Sequence, residues 1–142
     1  MRSLLPLFVL LIALPAAAQE PELGARTASP QSHLPAAGLA PGEDDLAAAI
    51  AAAETHPLGT LENPIRVGGP EGERAYLFRL RCADGAVPRI GERGDGGVDA
   101  YGTLAGVYPV TCAAGTVQLH FDMYHEEHVE NRAPTGFSVA PR

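Results

Sequence analysis

The chain reads as an α+β, mainly β domain, a small antiparallel sheet with one preceding helix and one disulfide. Three observations predict this. Apolar residues alternate with polar ones through residues 75–82, 106–112 and 116–124, an alanine-rich run at 43–55 precedes them, and the only two cysteines, Cys82 and Cys112, fall in phase with the apolar residues of their segments. Period two belongs to strands with one buried face, and alanine is the strongest helix former.

The first eighteen residues stand apart from that domain. Arg2 supplies a positive start, Leu4 to Leu14 an apolar stretch, and Ala16-Ala17-Ala18 the small residues of a secretory cleavage site. A membrane anchor is the competing reading. The apolar run is about fifteen residues with two prolines, whereas a spanning helix needs roughly twenty. Residues 1–18 are therefore expected to be a signal peptide cleaved after Ala18, with no membrane insertion of the mature chain and a periplasmic or secreted location. No cysteine follows the cleavage region, so a lipid anchor at that point is not expected.

Residues 19–42 hold four prolines and scattered glycines with no apolar periodicity, and are expected to be a disordered Pro/Ala-rich leader. Residues 43–142 remain as a single small domain. Glu43, Asp44 and Asp45 place negative charge where a helix N-terminus favours it, and Leu46, Ala49, Ile50 and Ala53 form a thin apolar stripe. The helix ends before Pro57-Leu58-Gly59.

From Gly59 onward the period becomes two. Residues 64–67 predict a short strand, and in 75–82 Tyr76, Phe78, Leu80 and Cys82 alternate with Leu77, Arg79 and Arg81 to predict a longer one. Tyr108, Val110 and Cys112 share a face in 106–112, where Pro109, lacking an N–H, marks an edge or bulge. Val117, Leu119, Phe121 and Met123 oppose Gln118, His120, Asp122 and Tyr124 in the clearest strand, joined to its predecessor by a hairpin through Ala113-Ala114-Gly115. Residues 91–106 are dense in glycine and poor in apolar side chains, which predicts a long mobile loop inside the disulfide ring.

All ten basic residues are arginines, and they face seventeen acidic ones, a net charge of −7. Nucleic acid and anionic membrane surfaces are poor partners for such a chain. Export implies an oxidising compartment, where a Cys82–Cys112 disulfide is the economical reading, contributing roughly 3 to 4 kcal/mol through a loop of about thirty residues.

Potential ligands crowd into His120, Asp122, His125, Glu126, Glu127, His128 and Glu130. Zinc accepts imidazole and carboxylate together. His120 and Asp122, two apart on a strand, point the same way, and a helical turn over 125–130 brings His125 and His128 together as a completing pair. His120, Asp122, His125 and His128 are thus the candidate divalent-metal ligands, for metal handling or metal-dependent hydrolysis. The bland alternative is a wet strand face where Asp122 pairs with Arg79 or Arg81. The two-residue spacing between His125 and His128 does not match the zinc-protease pattern.

Covalent catalysis has little material. The serines are Ser3, Ser29, Ser32 and Ser138, no Gly-x-Ser-x-Gly elbow occurs, and the cysteines are not in a redox Cys-x-x-Cys. Neither a phosphate-cradle nor a calcium-loop pattern occurs in the glycine-rich stretch, so no cofactor beyond a divalent metal is expected. Among the tyrosines, Tyr76 and Tyr108 are expected to pack in the core, and Tyr101 and Tyr124 to be free to meet a partner.

NPIRVGGPEGERAYLFRLRCADG at 63–85, the Tyr101-Gly102 pair, Cys112 and DMYHEEHVENRAPTGF at 122–137 together resemble small exported proteins of unknown function from Gram-negative bacteria. The resemblance covers roughly the last eighty residues. It implies a periplasmic or secreted domain on a paired-cysteine scaffold, with no activity or ligand to carry over. A non-enzymatic binding or envelope-associated module with an envelope or extracellular partner is the favoured expectation, and the divalent-metal site its alternative.

Overall fold

A computed structural model of the chain describes residues 43–142. The expected signal peptide and Pro/Ala-rich leader lie outside the described residues. Among the described residues no helix is long and apolar enough to cross a membrane.

The described elements run in the order α1 (Glu43–Ala53), β1 (Ile65–Gly68), α2 (Gly69–Arg79), β2 (Leu80–Cys82), β3 (Arg89–Ile90), β4 (Gly94–Val98), β5 (Leu104–Cys112), β6 (Gly115–Asp122), β7 (Tyr124–Val129) and β8 (Phe137–Val139). The main sheet has the order β3-β5-β6-β1-β7, with β4 beside β3 on the same edge of β5, and β2 pairs with β8 in a second, two-stranded sheet. Mainly β with a Cys82–Cys112 disulfide is what the sequence predicts. Two details differ. The main sheet is mixed, since β1 runs parallel to β6 through Ile65↔Phe121 and Arg66↔Asp122, and there is a second helix.

That helix occupies most of the segment expected to be a strand at 75–82. Pro70 sits in the first turn, where its missing N–H costs nothing; Glu71 lies at the positive end of the helix and Arg79 at the negative one. Glu73, Tyr76, Leu77 and Leu80 are buried at helical spacing, whereas Phe78, placed in the core by a strand reading, is 83 % exposed. Gly72 lets this helix seat on β1, because a Cβ there would come within 2.9 Å of the Val67 Cβ. Only Leu80–Cys82 remains extended, and it pairs with β8.

The glycine-dense segment is likewise not a loop. Gly94–Val98 pairs antiparallel with the first half of β5, across a bulge, and the Asp99 N–H donates to the Thr103 carbonyl to close the hairpin. Backbone hydrogen bonds rather than apolar side chains hold β4, and Val98 remains 63 % exposed.

The predicted hairpin between the two best strands forms as β5 and β6, paired from Gly106↔Phe121 to Cys112↔Gly115. Ala113 and Ala114 form its loop, and Gly115 has a φ of +134°. The core lies between the sheet and α2, where Ile65, Val67, Tyr76, Leu77, Leu80, Val110, Leu119 and Phe121 pack together. Tyr76 and Tyr108 both meet Phe121 edge to face, with centroids 5.7 and 5.5 Å away. Both tyrosines thus pack as expected.

Candidate functional site

Two features bear on function, a buried polar network where the sequence places its candidate ligands and an open apolar cleft beside α2. The network centres on Asp122 at the end of β6. Its side chain is fully buried and accepts from the Tyr124 N–H at 2.9 Å, the Thr103 hydroxyl at 2.9 Å and His125 Nε2 at 3.0 Å. Neither Arg79 nor Arg81 reaches it. Arg79 donates to the Glu130 and Ala140 carbonyls and to Asn131 Oδ1, and Arg81 to the Phe78 and Leu80 carbonyls.

The four candidate metal ligands do not converge. His120 Nδ1 lies 3.3 Å from the Gly59 carbonyl, His125 is bound to Asp122, and His128 Nε2 lies 3.5 Å from Glu130 Oε2. Among the described residues no three His, Cys, Asp or Glu side chains gather in a way that could hold a metal ion. The cause is local. Residues 124–129 form the strand β7 instead of a helical turn, and on an extended strand residues three apart point to opposite faces.

Across from Asp122, the β4–β5 turn turns its own polar side chains inward. Asp99 Oδ1 accepts from the Tyr101 and Thr103 N–H groups at 2.9 and 3.2 Å, and the Thr103 hydroxyl lies 3.1 and 3.2 Å from the two Asp99 oxygens. Burial, then the nearby Asp122 charge, pushes the Asp99 carboxyl up to about 6 against the pull of these donors. Tyr101, expected to be free for a partner, is buried, with its ring edge-on to His125 at 5.2 Å and its hydroxyl without a hydrogen-bond partner among the described residues. Tyr124 is half-buried.

Beside this network, burial opposes ionisation of Glu130, but Arg132, through its guanidinium and its N–H, outweighs burial and holds the carboxyl down at about 2. Arg132 also reaches Glu54 just after α1 at 3.2 Å, and its carbonyl accepts from the Tyr76 hydroxyl. One arginine therefore ties the first helix region, the chain after β7 and α2 together.

The second feature lies on the far side of α2. Leu77, Phe78, Val87, Pro88, Ile90 and Tyr108 line a cleft of about 440 Å³ with Arg74 and Arg81 among its walls. Phe78 and Val87 are 83 % and 72 % exposed. Of the lining residues, Tyr108 donates its hydroxyl at 2.8 Å to Glu73, a buried carboxylate on α2 that also accepts from Arg93 Nε at 3.0 Å. Arg74 pairs with exposed Glu71 at 3.1 Å, while Arg81 has no carboxylate partner among the described residues.

Sequence reasoning missed the cleft because it assigned Phe78 to a buried strand face. The signal available was Pro70-Glu71 opening a helical register in which Phe78 lies opposite Tyr76 and Leu80. No family model matches the chain, and comparisons with curated proteins and with solved structures yield no match.

Proposed function

We propose that the chain is an exported, non-enzymatic binding module that holds an acidic, apolar segment of an envelope or extracellular partner in the Phe78 cleft. The observation that carries this reading is the pair of large apolar side chains, Phe78 and Val87, standing exposed in one concave patch. Small soluble domains rarely leave such side chains grouped in water without a use for them.

Charge complementarity selects the occupant. In a chain of net charge −7, Arg81, which has no carboxylate partner among the described residues, gives this cleft a cationic group beside the Arg74–Glu71 pair, and Tyr108 offers apolar area. A segment with apolar side chains for the cleft and a carboxylate for Arg81 matches both. The leader-like residues 1–18, the disulfide and the resemblance to exported Gram-negative proteins support the periplasmic or secreted location.

Titration with 1-anilinonaphthalene-8-sulfonate, an apolar anion, tests the cleft. Saturable binding to the native oxidised protein is expected, weakened about tenfold by Phe78→Ser, equivalent to about 1.4 kcal/mol. Arg81→Gln weakens it further and reduces its salt dependence. Binding that Phe78→Ser leaves unchanged contradicts the reading.

A further inference from the structure

We propose that Asp99 and Asp122 form a buried proton-binding site, in which one proton held on Asp99, with the Thr103 hydroxyl bridging the two carboxyl groups, locks the 99–103 turn against the end of β6. Donor accounting carries the inference. Thr103 Oγ1 lies 2.9 Å from Asp122 Oδ2 and 3.2 Å from Asp99 Oδ2, yet a hydroxyl has one hydrogen to give. Asp122 Oδ2 takes it at the shorter distance. Asp99 Oδ2 then faces the hydroxyl oxygen without a donor among the described residues, in a residue only 8 % exposed.

A proton taken from solvent onto Asp99 Oδ2 resolves the conflict. The carboxyl O–H donates to Thr103 Oγ1, the hydroxyl donates to Asp122 Oδ2, and His125 Nε2–H donates to the same carboxylate oxygen. Every oxygen in the chain Asp99, Thr103, Asp122 is then satisfied, and the pair holds one proton. Deprotonation leaves two buried carboxylates competing for one hydroxyl.

The surrounding charges do not replace that proton. From β6, Asp122 faces Asp99 directly, and His120 lies against Gly96 of β4. From β7 comes His125, bound to Asp122. Arg66 of β1, the register neighbour of Asp122, makes no ion pair with either carboxylate among the described residues, and Arg132 is held by Glu130 and Glu54. His56 and Glu62 share a groove of about 400 Å³ with Asp99, whose α1 wall is Ala49, Ala52 and Ala53 and carries no titratable group. The proton therefore firms the turn that forms one wall of the α1 groove.

The raised carboxyl of Asp99 agrees in sign. Its folded value of about 6 lies above the ordinary 3.8, so the stabilisation from the bound proton is complete below about pH 4 and is lost as pH rises through about 6. An exported protein meeting acid is thus held more firmly at this turn than the same protein at neutral pH.

Carboxyl ¹³C NMR titration of the oxidised chain from pH 3 to 8 tests the proposal. The expected result is an Asp99 midpoint near 6 that falls by about one unit, a tenfold loss of proton affinity, in Asp122→Asn. Amide exchange at 99–103, corrected for its intrinsic pH dependence, is expected to be about tenfold slower at pH 5 than at pH 7.5. Asp99→Asn, which mimics the protonated carboxyl, removes that difference. An Asp99 midpoint near 4 in the unmodified protein, which requires no variant to fold, overturns the proposal, as does an unmoved midpoint in folded Asp122→Asn.

Discussion

Phe121→Ala is expected to cost roughly 3–5 kcal/mol, the largest loss of any single core truncation in this domain. Phe121 is fully buried at the meeting point of β5, β6 and β1 and receives the edges of both Tyr76 and Tyr108. Removing its ring strips both tyrosines of their contact and leaves a void that a small core cannot readily collapse around. The Tyr76 hydroxyl is fixed to the Arg132 carbonyl and the Tyr108 hydroxyl to Glu73, so neither ring can move in without giving up a hydrogen bond. For a domain of this size the loss is a large share of the total. Urea denaturation of the oxidised protein measures it, and a loss below about 1.5 kcal/mol would show that the ring is not the core's keystone.

Replacing Cys82 and Cys112 together by alanine is expected to cost roughly 3 kcal/mol, since the disulfide spans thirty residues of sequence. Its position makes the effect uneven. Cys82 ends β2 in the two-stranded sheet, and Cys112 ends β5 in the main one, so the bridge fastens the small sheet to the large one. Without it, β2 and β8 are held by Leu80 in the core, by Phe137 and Val139 packed against it, and by the Ala140 N–H to Arg79 carbonyl bond. Hydrogen exchange in the alanine pair should therefore rise first in β2 and β8, with β5 and β6 protected longest. Because Val87 and Pro88 wall the Phe78 cleft, the same variant is expected to bind the anionic dye less tightly. A uniform rise across both sheets would contradict the fastening role.

The parts of this fold that were legible in the sequence are those in which side-chain burial, period and covalent chemistry agree. Alternation and a tight turn marked the β5–β6 hairpin, alanine and acidic residues marked α1, and the in-phase cysteines marked the disulfide. The segment 75–82 misled because two of its buried apolar residues satisfy both periods. Tyr76 and Leu80 suit strand or helix, and the tie is broken by Pro70, by Glu71 and by the close approach that Gly72 permits. Strand β4 carries almost no apolar signal, since its pairing resides in the backbone, and parallel pairing of β1 with β6 leaves no trace in a four-residue strand.

At the polar site, the sequence paired His120 with Asp122 on one strand face and His125 with His128 on a helical turn that does not form, whereas the contact made is between Asp122 and His125. Asp99 and Thr103 were hidden in a stretch expected to be a loop, Thr103 lying 19 residues upstream of Asp122 and Asp99 further still. The cleft was illegible for a related reason. Phe78 becomes a surface residue only once the helix is known, and Val87 faces it only through the tertiary fold.

The most direct test of the binding role is a ¹⁵N chemical-shift titration of the oxidised protein with a blocked peptide of alternating Glu and Leu, alongside its Lys and Leu counterpart. Cleft binding predicts saturable shifts confined to residues 74–81, 86–90 and Tyr108 with the acidic peptide, and at least several-fold weaker binding of the basic one. Shifts that are absent, that fall on other surfaces, or that are equal for the two peptides would contradict it.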